Sequence, residues 1–129
     1  MSAAVIVDAS GRLLLVRKAG TSAFMQPGGK PVISKFLLAL MDPGDEVLYP
    51  NPGFPIYESQ IRFLGGVPKP YGFVPGEKNF LVDFAAIEAA ITPRTKLLIF
   101  NDLHNPTGAE SPDSEREALA ELARKHDLY

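Results

Sequence analysis

Asp42-Pro43-Gly44-Asp45-Glu46-Val47-Leu48-Tyr49-Pro50, DPGDEVLYP, is the stretch on which the fold turns. Its first four residues are turn chemistry: proline cannot continue a helix, glycine supplies positive φ, and the two aspartates bond local backbone. Its last five, EVLYP, form a short apolar run of the length of a buried strand. A helix therefore ends here and a strand without a polar face begins. Strands buried on both faces belong to parallel sheets covered by helices.

The flanking sequence repeats that alternation. Upstream, Pro31 opens VISKFLLALM, whose apolar positions 33, 36, 37, 40 and 41 have helical spacing, with proline tolerated in the first turn. Downstream, NPGFP is a turn, residues 55–64 a helix stopped by Gly65-Gly66, and VPKPY (67–71) a short strand whose prolines place it at an edge. Residues 72–82 read as a loop and DFAAIEAAI (83–91) as a helix. KLLIF (96–100) is a second buried strand, and Leu103 to Gly108 a loop. Ser111 is placed to cap a last helix with Pro112 in its first turn, acids early, and Lys125 and His126 late. Before residue 30 the pattern differs: AAVIV (3–7) and RLLLVR (12–17) flank the turn Asp8-Ala9-Ser10-Gly11 and read as a β-hairpin.

With 129 residues and 46% apolar side chains, the chain suffices for one domain with a sizeable core. Thirteen basic against 15 acidic residues, a net charge of −2, offer no clustered cationic surface for nucleic acid or an anionic membrane. The absence of cysteine removes disulfides, thiolate nucleophiles and cysteine-based zinc sites. No segment approaches the roughly 20 apolar residues of a membrane span, and no basic leader precedes Val5, so a cytoplasmic location is expected.

Two families are resembled. Residues 1–30, AAVIVDASGRLLLVRKAG with FMQPGGK, resemble the hairpin and loop that precede the metal-binding box of Nudix hydrolases. That box implies acids on one helix that hold magnesium, because a hard divalent cation needs closely spaced oxygen ligands. Counted from Gly29, the acids would fall at Lys35, Gly44, Val47 and Leu48, so none is present and no metal site is expected. From Pro27 onward, PGGKPVISKFLLALMDPGDEVLYPNPGFPIYESQIRFLGG and DFAAIEAAITPRTKLLIFNDLHNPTGA resemble the large domain of class I, fold-type I aminotransferases, which depend on pyridoxal phosphate. PGGK belongs to both patterns, so residues 27–30 read as the seam of a recombined or constructed chimera. One hybrid domain over 1–129 follows, with segment 1–30 Nudix-like and segment 27–129 aminotransferase-like.

The resemblance implies an α/β fold: a parallel three-stranded, Rossmann-like core, with 46–50 central between 67–71 and 96–100. The N-terminal hairpin would extend it into a mixed sheet. The resemblance also assigns roles. Gly28, Gly29 and Lys30 match the loop whose amides hold the cofactor phosphate, as free N–H groups at a helix N-terminus can. Phe54 matches the aromatic residue that stacks on the pyridine ring, and Asn105 the one that hydrogen-bonds its phenolic oxygen. The family's catalytic lysine, the aspartate paired with the pyridine nitrogen and the arginine that grips the substrate carboxylate find no counterpart here. The expectation is thus a chimeric domain without enzymatic activity, with weak phosphate or pyridoxal-phosphate binding as the alternative and residual hydrolase or transaminase activity as the least favoured. GGK also reads as a plain helix entry, Phe54 as a packed aromatic and HNPTG as a turn. His104 and His126 are expected on the surface. An open sheet edge at 96–100 is a pairing hazard; the hairpin would cap that edge or the opposite one, and only if it does not is a homodimer or strand exchange through the open edge expected.

Overall fold

The computed structural model describes residues 29–77 and 79–129. Its centre is strand β1 (Glu46–Pro50), in which all five residues are buried. β1 is hydrogen-bonded on both sides and in parallel, to β2 (Val67–Tyr71) and to β5 (Thr95–Leu98). The strand order β2-β1-β5 is the parallel core expected from the alternation of elements. The register against β5 slips once, between Glu46 and Val47. Gly28 and the expected hairpin, residues 3–17, lie outside the described residues, and with them the expected mixed sheet.

Because side chains alternate along a strand, β1 feeds two cores. Val47 and Tyr49 turn to one face with Leu97, and meet Leu37 of α1 (Gly29–Leu40) and Tyr57 and Ile61 of α2 (Ile56–Phe63). Leu48 turns to the other face with Tyr71. There it meets Ile87 of α3 (Phe84–Ala90), and Leu119 and Leu122 of α4 (Asp113–His126). Helices thus cover both faces, giving three layers. α3 has 7 residues, too few to hold by propensity. Its cap, Asp83 accepting from the Ala86 N–H at 2.9 Å, contributes about 1 kcal/mol. Full burial of Ile87 contributes about 1.5–3 kcal/mol, so the core rather than the cap holds the helix.

Three expectations are corrected. Residues 72–82 are not all loop: β3 (Phe73–Pro75) and β4 (Phe80–Val82) form an antiparallel hairpin over the second core. Ser111 does not cap α4. Pro112 occupies the N-cap without a side-chain bond, and the Ser111 N–H is taken by Asp102 at 3.0 Å. The β5 edge is partly paired: Tyr129 N–H donates to the Lys96 carbonyl at 3.0 Å, and Leu98 N–H to the Tyr129 carbonyl at 2.8 Å. The chain reaches that edge because Asp127, with φ 54°, ends α4 in the left-handed conformation.

β2 is an edge strand, as its prolines require. Val67 N–H donates to the Asp45 carbonyl and the Tyr71 carbonyl accepts from Asn51, so odd-numbered residues address β1. Pro68 and Pro70 fall at the alternate positions, whose N–H would face outward.

The N-terminal end of β1 holds a buried carboxylate. Glu46 is 1% exposed and accepts from Thr92 Oγ1 at 2.7 Å, Arg94 Nη2 at 3.0 Å and Thr95 Oγ1 at 3.3 Å, with Lys69 Nζ at 3.5 Å. Burial opposes ionisation, but the Thr92 and Arg94 hydrogen bonds, Lys69 and Thr95 outweigh it and hold the carboxyl below the usual range. A depressed folded-state pKa stabilises above the unfolded value of about 4.3, and that contribution is lost as pH falls through the folded value. Glu46→Gln should lower the unfolding free energy at pH 7 by about 1–3 kcal/mol, the cost of weakened bonds to a buried group. Urea melts across pH should show the difference from the parent narrowing below pH about 4. A constant difference would assign the loss to packing alone.

Candidate functional site

In open parallel sheets, ligands bind beyond the carboxyl ends of the strands. Here that end carries two loops, leaving the neighbouring strands β1 and β5.

The loop after β1 begins at Asn51, whose N–H is held by the Tyr71 carbonyl at 2.8 Å, and passes through a cis Asn51–Pro52 bond. Gly53 follows, so close to β1 that a Cβ there would lie 2.1 Å from the Pro50 carbonyl oxygen. This delivers Phe54, which is half-buried and packed on the first core. Its ring meets Tyr57 edge to face, centroids 6.0 Å apart at 86°. Phe54 is thus braced by the first turn of α2, with the Tyr57 N–H donating to the Phe54 carbonyl at 3.1 Å.

The loop after β5 runs from Phe100 to Ser111. Asn101 is buried, and its Nδ2 has no hydrogen-bond partner. Asp102 accepts from the Ser111 N–H and from Arg116 Nη1 at 2.8 Å, which ties the loop to α4. Asn105 stands exposed at the tip, before a cis Asn105–Pro106 bond. Gly108, with φ 71°, reverses the chain and donates to the His104 carbonyl at 2.6 Å. His104 is not the surface residue expected: it is 4% exposed and packs on Phe73, ring centroids 4.4 Å apart. Burial lowers its pKa below the ordinary histidine range, and the Pro52 backbone partly opposes that shift. His126 is exposed, as expected.

The third part is the start of α1. Gly29 and Lys30 are its first two residues, and its first turn carries no acid. An unopposed helix N-terminus favours an anion, although Pro31 removes one donor. α1 packs by Ile33, Phe36 and Leu37 on the core that also carries Phe54. The sequence-derived residues Gly29, Lys30, Phe54 and Asn105 are thus placed on a helix start and on loops from two adjacent strands, with Gly28 outside the described residues. Sequence reasoning missed Asn101 and His104, whose burial is tertiary.

A family model for class I and II aminotransferases matches residues 12–129. The chain belongs to the class I and II aminotransferases. It is 44% identical over 102 residues to the aspartate/prephenate aminotransferase of Thermus thermophilus, covering 79% of this chain and 26% of that enzyme. Against the LL-diaminopimelate aminotransferase of Halothermothrix orenii it is 38% identical over 101 residues, 78% of this chain and 26% of the relative. Among solved structures, the N-succinyldiaminopimelate aminotransferase of Mycobacterium tuberculosis superposes with a TM-score of 0.75 at 37% identity, over 78% of this chain and 26% of that one. The chain spans about a quarter of the length of these aminotransferases.

The expected chimera is overturned. The aminotransferase match begins at residue 12 and runs through residues 27–30 in one piece, so the seam falls inside a single family and the Nudix-like assignment has no support. The physical reason is that a glycine pair ahead of a helix serves any fold whose helix N-terminus must stay open, so PGGK does not discriminate between families. Among the described residues no helix is long and apolar enough to cross a membrane.

Aminotransferases of this family use pyridoxal phosphate. The residues present fit that group: an acid-free helix start suits its phosphate, a braced aromatic suits its ring, and an exposed amide at Asn105 is free of the core. Gly53→Ala should destabilise the fold by about 1–3 kcal/mol, because the new Cβ meets backbone that cannot rotate away. Thermal melts together with the NMR amide shift of Phe54 check this. A melt equal to the parent's with Phe54 unmoved would show that the loop has room to give.

Proposed function

We propose that this chain forms part of the cofactor-holding face of an aminotransferase large domain, with pyridoxal phosphate as its ligand. The observation that carries this reading is the emergence of Phe54 and Asn105 on loops from the carboxyl ends of the adjacent parallel strands β1 and β5. The amides of Gly28, Gly29 and Lys30 would hold the phosphate. Phe54 would stack on the ring, and the Asn105 amide would donate to its phenolic oxygen. When bound, the cofactor supplies an electron sink for carbanion chemistry at an amino acid. The residues of this chain bind and orient it: the helix start fixes the phosphate, and Phe54 excludes water from one ring face. Amino-group transfer between an amino acid and a 2-oxo acid is the activity proposed for the whole enzyme, by analogy with its named relatives.

The test uses pyridoxine 5′-phosphate, which lacks the aldehyde and so cannot form imines with surface lysines. Titrated into the isotopically labelled chain, it should shift the amides of Gly29, Lys30, Phe54 and Asn105. It should also raise the melting temperature by mass action. Phe54→Ala and Asn105→Ala should each weaken apparent affinity about 5- to 30-fold, the equivalent of roughly 1–2 kcal/mol for a stacking contact or a hydrogen bond. Pyridoxine without phosphate should leave Gly29 and Lys30 unshifted. Spectra and melts that do not respond at millimolar ligand would overturn the reading.

A further inference from the structure

We propose that Asp102, gripped by Arg116 of α4, is a positioning residue that fixes the reach of the Asn105 amide, and through it the preference of the site for a ring that bears a hydroxyl. The proposal rests on the role read for Asn105 above.

Asn105 stands on a loop that packing does not hold. Residues 105–108 are all exposed, and so is Leu103 before them. A tip with few buried contacts opens easily unless its base is closed. Two rungs close this one. The inner rung is backbone: the His104 N–H donates to the Ala109 carbonyl at 2.8 Å. The outer rung has a side chain where backbone would stand, because Asp102 Oδ1 accepts the Ser111 N–H at 3.0 Å from nine residues away.

The second oxygen of the same carboxylate, Oδ2, accepts from Arg116 Nη1 at 2.8 Å. That Nη1 also donates to the Ser111 carbonyl at 2.6 Å, and Nη2 pairs with Asp113 at the start of α4. Both ends of the loop, Asp102 and Ser111, are therefore held by one guanidinium. Its mount is a 14-residue helix anchored in the second core by Leu119 and Leu122. The planar fork of arginine donates in fixed directions, so the position of the helix is passed to the loop base. Only a carboxylate meets both demands: an amide at 102 would keep one acceptor and turn the other into a donor.

Asp102 lies three residues before Asn105, so a slip of the outer rung is felt at the amide. A hydrogen bond to a bound ring tolerates little displacement of its donor. The other parts of the site are held separately. Phe54 is braced by Tyr57, and α1 packs on the first core. Loosening the clamp should thus cost the contact to the ring hydroxyl and spare the stacking and phosphate contacts.

The test has one arm without ligand and one with it. In the labelled chain, Asp102→Ala and Arg116→Gln should each lower the backbone order parameters of Asn105, Thr107 and Gly108 from about 0.85 to below about 0.6, leaving those of β1 and Phe54 unchanged. Unaltered order at 105–108 in both variants would overturn the clamp. With ligand, Asp102→Ala should weaken pyridoxine 5′-phosphate binding about 2- to 10-fold, the share of one hydrogen bond. The analogue lacking the ring hydroxyl should bind parent and variant alike, and equal losses for both ligands would overturn the link to Asn105. Adding Asn105→Ala to Asp102→Ala should cost no more than Asn105→Ala alone, since the two act on one contact; a further loss would again overturn the link. A parent chain that fails to bind pyridoxine 5′-phosphate would overturn the reading of the site and this specificity with it, whereas a bound ligand with an unresponsive loop would overturn the proposal alone.

Discussion

Five residues of β1 with no exposed side chain and two hydrogen-bonded neighbours impose the constraint that the rest of the molecule meets. A strand buried on both faces must be sealed by a layer on each. α1 and α2 supply one layer, and α3, α4 and the β3–β4 hairpin the other. The same strand needs its first residue charged and its last residues leading into a loop. Glu46 at the amino end sits among Thr92, Arg94, Thr95 and Lys69, whereas Pro50 at the carboxyl end delivers Gly53 and Phe54. The structural charge cluster and the candidate site therefore occupy opposite ends of one strand, with the apolar cores between them. Each can be altered with little direct effect on the other.

Hydrogen bonding at the two ends follows different rules. At Glu46 a buried anion is satisfied by several donors, and its environment settles a charge in place. At the carboxyl end, Asn101 Nδ2 and His104 Nε2 are buried without good partners. Native proteins leave few such groups, and those they leave call for an explanation in terms of function or an absent partner.

The legible part of this fold was the part with local causes. DPGDEVLYP marked a helix stop and a buried strand, and β1 matches it. The prolines of VPKPY marked an edge strand, and β2 lies at an edge. Phe54 and Asn105 were singled out through family motifs rather than through spacing. What stayed hidden depended on distant partners. Glu46 meets Thr92 and Arg94 from 46 and 48 residues away, a relation no window reveals. His104 looked like a surface residue because its burial depends on Phe73, in a hairpin whose three-residue strands are too short for periodicity to register. The Gly28-Gly29 pair misled for a related reason: an open helix start is common to many folds, so a short motif was taken as a junction that the continuous family match removes.

The prolines of β2 have a consequence for how such a sheet can grow. A further strand docking there would need donors pointing outward, and Pro68 and Pro70 occupy the positions that would supply them. That rim offers carbonyls alone over its middle and cannot template a regular ladder. The opposite rim, beside β5, accepts backbone readily enough for Tyr129 to pair with it. Among the described residues, therefore, the two rims of the sheet differ in their capacity to pair. The two prolines thus act on the β2 rim as a local block to edge-to-edge pairing.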